Sequence, residues 1–140
     1  MTQNRFDVRP VEVVLYFLPV ETRVPLKFGA EVVTAVTCAR VRMRVVDRQG
    51  RSAEGWAETP LAVQWTWPSD LAYEARNEVL QRFCVKLSEA WAAFELPGHP
   101  IEVGHAFQQW VLPKLLAEIN IGRDAPMPWL AALVCCSAFD

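Results

Sequence analysis

Between Glu31 and Val46 the chain alternates with a period of two. Val33, Ala35, Ala39, Val41, Met43 and Val45 fall on one side of an extended backbone, and Thr34, Arg40, Arg42 and Arg44 on the other. A strand makes that pattern, whereas a helix would scatter the arginines around its circumference. A strand apolar on one side and charged on the other belongs in an antiparallel sheet with one covered face. Val11 to Leu18, rich in β-branched and aromatic residues, reads as a strand before it, ended by Pro19. Asp47-Arg48-Gln49-Gly50 supplies a tight turn, with Gly50 suited to positive φ, and a third strand runs from about Arg51 to Thr59. The expectation is a three-stranded antiparallel meander. Glu21 to Ala30, holding Pro25 and Gly29, reads as a loop within it.

After Pro60 and a second irregular loop, Leu61 to Pro68, the period changes. Ser69 or Asp70 is placed to cap a helix over Leu71 to Phe94, with Leu80, Phe83, Cys84, Leu87, Trp91 and Phe94 as its apolar stripe. Leu96-Pro97-Gly98-His99-Pro100 breaks it, with His99 shaping a turn. Ile101 to Asn120 is helical again, and Pro113 inside it predicts a kink or two short helices. Ile121 to Pro126 is a loop. Met127 to Asp140 then reads as a helix still running, with Pro128 in its first turn, Leu130, Leu133, Val134 and Ser137 at helical spacing, and no closing glycine or basic turn. That predicts a domain over 1–126, with 127–140 starting a helix that leads into something larger. Strands first and helices after make an α+β fold, with helices on one sheet face.

Apolar residues at 52% and charged residues at 21% exclude a disordered chain. No apolar run approaches the ~20 residues of a membrane span. The amino terminus carries an acid and no signal-type core, so the expected location is cytoplasmic. A net charge of −2 argues neither for nucleic acid nor for an anionic membrane. Cys38, Cys84, Cys135 and Cys136 show no zinc spacing with His99 and His105, and read as small buried hydrophobes. The stripe Arg40, Arg42, Arg44, continued by Arg48 and Arg51, could track a phosphate backbone, but no aromatic residues interleave it. Pairing with carboxylates is the favoured reading. Glu58 lacks an acid/base mate and reads as structural, and His105 as a surface residue.

The order of Arg23-Val24-Pro25-Leu26-Lys27-Phe28-Gly29, the Gly50 hairpin, Gly55-Trp56-Ala57-Glu58-Thr59-Pro60, Gly98-His99-Pro100-Ile101-Glu102 and the closing Ala132 to Asp140 resembles the amino-terminal capping domain of the enolase superfamily. It is most similar to the mandelate racemase and muconate-lactonizing branch. The likeness extends from about Arg9 to Asp140; one departure is Ala57, where the family more often carries glycine. The resemblance implies a whole protein built of this cap and a carboxy-terminal TIM barrel that the 140 residues lack. Such a protein would be a magnesium-dependent isomerase, racemase, cycloisomerase or dehydratase acting on a carboxylate, and an expected homo-oligomer. It also implies two substrate-facing loops in the cap, with Arg23, Lys27 and Phe28 in the first and Trp65, Thr66 and Trp67 in the second.

The residues themselves offer no catalytic set. The only lysines, Lys27, Lys86 and Lys114, form no Lys-x-Lys pair, and the acids are scattered. This chain alone is therefore expected to be inert, with no cofactor of its own, magnesium belonging to the barrel. The alternative is a stand-alone binding or dimerisation module.

Overall fold

The computed structural model describes residues 4–140, the side chain of Phe28 excepted. Three strands, β1 (Val8–Phe28), β2 (Glu31–Asp47) and β3 (Ser52–Pro60), form an antiparallel sheet in the order β1-β2-β3. Five helices follow: α1 (Val63–Thr66), α2 (Tyr73–Ala92), α3 (Pro100–Trp110), α4 (Leu112–Ile119) and α5 (Trp129–Cys136). The fold is α+β, as the order of periodicities requires. Gly50 takes φ 78° at the β2–β3 turn, where Asp47 Oδ1 accepts from the N–H groups of Gln49 and Arg51, each at 2.9 Å.

One sheet face is covered. Val13, Leu15 and Phe17 of β1 and Ala39, Val41 and Met43 of β2 meet the α2 residues Leu80, Phe83, Cys84 and Leu87 in a single core. Trp91 closes the far end of α2, stacked on Phe107 with ring centroids 4.0 Å apart and planes 11° apart. Phe94 packs edge-on to both rings.

Several elements differ from the sequence expectation. Pro19 does not end β1; it pairs with Thr37 on an edge strand, where a missing N–H is tolerated. Neither Ser69 nor Asp70 is the cap of α2. Ala72 holds that position, while Ser69 Oγ accepts from Leu71 N at 3.2 Å in a turn just before it. His99 is the side-chain cap of α3, its Nδ1 accepting from Ile101 N at 3.3 Å. Pro113 sits at the start of α4, so Ile101 to Asn120 resolves into two helices. Pro128 is the residue before α5 and not its first turn.

The last helix also ends sooner than its pattern suggests, at Cys136, with a turn over Ser137 to Phe139. Its buried face is Ala131, Ala132, Cys135 and Cys136, whereas Leu130 is exposed and Leu133 and Val134 are half-buried. The buried side is made of small residues, and Cys135 Sγ lies 3.9 Å from the Leu80 carbonyl of α2, so size more than hydrophobicity selects it. All four cysteines are buried and unpaired. Burial, followed by the Asp140 carboxylate, pushes the Cys136 thiol up to about 12.

Candidate functional site

β3 stops at Pro60, opposite Cys38, while β1 and β2 run on. Beyond that point the sheet continues as a two-stranded arm, Pro19 to Thr37. The expected loop over Glu21 to Ala30 is therefore a hairpin, and its two breakers are absorbed locally. Pro25 falls in a bulge where Thr22 to Pro25 oppose Thr34, so its missing N–H interrupts no ladder bond. Thr22 Oγ1 donates to the Thr34 carbonyl at 3.2 Å across that bulge. Gly29, at φ 61°, and Ala30 make the turn between the paired Phe28 and Glu31. Positive φ at the first of two turn residues only is the type II′ arrangement, which matches strand twist.

Where β3 leaves off, the segment Leu61 to Trp67 comes in beside β2. Leu61 N donates to the Thr37 carbonyl at 2.8 Å, and Thr66 Oγ1 to the Ala62 carbonyl at 2.8 Å. Arg76 of α2, 4% exposed, donates from Nη1 to the Trp67 carbonyl at 2.7 Å. Its Nε has no partner, and no carboxylate pairs with it among the described residues.

Between the arm and these two helices lies a hollow of about 510 Å³. The β2 half of the arm lines it with Glu31, Thr34 and Thr37 among small apolar residues, α1 contributes Gln64, and α2 contributes Tyr73 and Asn77. Tyr73 and Asn77 stand one helical turn apart and so share a face. Asn77 Nδ2 donates to Thr37 Oγ1 at 3.3 Å, tying the arm's base to α2, while Asn77 Oδ1 is buried without a partner. Desolvation, then the neighbouring Glu74 charge, raises the Tyr73 phenol, which stays a protonated donor at neutral pH.

The residues expected to face substrate are spread over this region. Arg23, in the bulge, and Lys27, near the turn, are exposed and lie outside the hollow's lining. The side chain of Phe28 lies outside the described residues. Thr66 and Trp67 are turned into the core, 1% and 2% exposed, and only Trp65 of the three is open to solvent, at 42%. Sequence reasoning missed Gln64, Tyr73 and Asn77. A signal existed: Tyr73 and Asn77 extend the Leu80–Cys84–Leu87–Trp91 stripe upstream at the same spacing, with polar groups in apolar places.

The opposite sheet face carries the arginines, each held by an acid. Arg40 Nε donates to Glu58 at 2.6 Å, Arg42 reaches Glu12 and Glu54, and Arg44 Nε donates to Glu12 at 3.1 Å. Arg48 and Arg51 pair with Asp7 and Asp47. Glu58 thus has the structural part its sequence context suggests. Tyr16 and Trp56 stack within this face, centroids 6.0 Å and planes 18° apart. Among the described residues no group of three or more His, Cys, Asp or Glu side chains is placed to hold a metal ion. No described helix is long and apolar enough to cross a membrane. No protein-family model matches the chain, and no curated protein matches it.

Proposed function

We propose that the chain is the capping, specificity-setting part of a cytoplasmic protein similar to the mandelate racemase and muconate-lactonizing group. Its catalytic barrel would supply the magnesium and the bases for abstracting a proton α to a carboxylate. In this reading the cap carries out no chemistry; it covers the barrel mouth, shuts out water and selects the far end of the substrate. The observation that carries the reading is the position of the two stretches that the resemblance assigns to substrate selection. The first, Glu21 to Ala30, is the outer part of the arm, and the second lines the hollow at the arm's base through Gln64; both lie beyond the point where the third strand ends. Arg23, Lys27 and Trp65, exposed and outside the hollow's lining, would meet the barrel or the substrate, and Trp65 has an apolar surface that such a contact would cover.

A second reading, a stand-alone dimerisation module, draws on the exposed Tyr16–Trp56 stack, with Trp56 57% exposed. The intact mass of the natural protein from its source cells separates the two. A mass of about 40 kDa, a cap plus a barrel of roughly 250 residues, together with magnesium-dependent exchange of a carboxylate's α-proton into deuterated water, supports the cap. A mass of 15.9 kDa overturns it.

A further inference from the structure

We propose that the hollow beneath the arm receives the ammonium end of a small primary amine, with Glu31 as its counter-charge. As a statement of what the cap would select, this rests on the reading above; as a binding property, it is a claim about the 140 residues alone. The lining contains one carboxylate and no lysine, arginine or histidine. Glu31 is exposed and has no ion pair among the described residues, whereas Glu12, Glu54 and Glu58 have their charges taken by arginines on the other face. The remaining polar side chains of the lining are neutral: Thr34, Thr37, Gln64 and Asn77, which carry acceptor oxygens, and the Tyr73 phenol, which can accept as well as donate. Asn77 Oδ1 is a buried acceptor without a partner on the hollow's α2 wall. An alkylammonium has three donors, no acceptor and one positive charge, and so complements that set. A carboxylate or phosphate placed there would face Glu31 with no cation to offset it. Pro19, Val32 and Val36 give an alkyl chain apolar cover.

The test is an amide-resolved NMR titration of the full chain at pH 7 and low salt, with n-butylammonium, 1-butanol and butyrate as separate probes. The expected result is saturable shifts at Thr34, Ala35, Gln64 and Asn77 with butylammonium, weaker ones with butanol and none with butyrate. Glu31→Gln should weaken butylammonium binding about fivefold, the scale of a partly exposed ion pair, with peak dispersion unchanged. Gln64→Glu should tighten it by a similar factor. Equal shifts with butyrate, no shifts with any probe, or a Glu31→Gln variant that binds as well as the parent would each overturn the proposal. Those outcomes leave the cap reading to be decided by intact mass. A mass of 15.9 kDa would remove the cap reading and leave an amine site standing.

Discussion

Removing the arm should hardly destabilise the protein. Val20 and Val36 are directly paired. Thr37 turns its carbonyl to Leu61, so its neighbour Val36 turns its peptide groups towards Val20, which is the hydrogen-bonded pair that a two-residue turn closes. Replacing Glu21 to Ala35 by Asn-Gly therefore ends the hairpin without shifting the register of the body. Of the side chains removed, those of Val24, Leu26 and Val32 are 63%, 54% and 56% exposed, and none of the segment is fully buried among the described residues. Exposed positions contribute within about 0.5 kcal/mol each, and a two-stranded ribbon is marginal on its own. Shortening the loop also lowers the entropy lost on closing it. The expected net loss is at most about 1 kcal/mol, or a fall in Tm of about 4 °C. Urea melts followed by circular dichroism would measure it, and the butylammonium response should vanish in the same variant. A loss above about 3 kcal/mol, or a transition that is no longer cooperative, would show that the arm belongs to the folding core and would refute this reasoning.

Trp91→Leu should cost about 3 kcal/mol, because a large buried ring is replaced by a smaller chain. In a double-mutant cycle with Phe107→Leu the stack should appear as a coupling of about 0.5–1.5 kcal/mol, and strict additivity would count against it. The raised Cys136 thiol holds its proton more tightly folded than unfolded, so its contribution is complete below pH 9 and is lost as pH rises towards 12. About 2 kcal/mol should be gone by pH 10.5, Cys136→Ala should flatten that part of the decline, and equal slopes in parent and variant would exclude the thiol as its source. Arg76→Met should leave stability within about 1 kcal/mol, since losing the hydrogen bond to Trp67 is offset by releasing a desolvated charge with no acid partner. A loss beyond about 3 kcal/mol in urea melts would mean that the guanidinium is better compensated than that one carbonyl allows.

The elements legible in the sequence are those fixed by local periodicity. The alternation from Val33 to Val45 and the stripe from Leu80 to Trp91 each declare one buried face; the stripe is buried throughout, whereas of the strand face Ala39, Val41 and Met43 join the core and Ala35, out in the arm, is exposed. The arm was not legible because Pro25 and Gly29 mark breaks only when the chain stands alone. Whether they break a strand depends on what lies across it, here Thr34 at a bulge and Glu31 at a turn. The last helix misled for a related reason. Leu130 has the greater hydrophobicity, but Ala131, Ala132, Cys135 and Cys136 have the smaller size, and close packing against α2 rewards size. The hollow was half legible. The breaks at Glu21 to Ala30 and Leu61 to Pro68 stand out in the sequence, but Tyr73 and Asn77 sit at the start of a helix stripe whose apolar residues dominate its pattern.

The hollow's two walls should differ in local stability, and the difference has a functional logic. One wall is α2, whose Leu80, Phe83, Cys84 and Leu87 are fully buried, so its amides should exchange with solvent only through global unfolding. The other is the arm, whose strands are paired on one side alone and whose side chains contribute little to the core. Its β1 edge carries Pro25 and a bulge, features that discourage pairing with another chain's strand. An element with little stake in the fold can be altered residue by residue without unfolding the protein, so it suits a surface that must match a ligand. Hydrogen exchange followed by mass spectrometry should accordingly find Val32 to Ala35 among the fastest amides and Leu80 to Leu87 among the slowest. Saturating butylammonium should slow the first group and leave the second unchanged. If the arm were already as protected as α2 in the free protein, it would be a rigid part of the body, and neither a closing cap nor an adaptable amine site could be built from it.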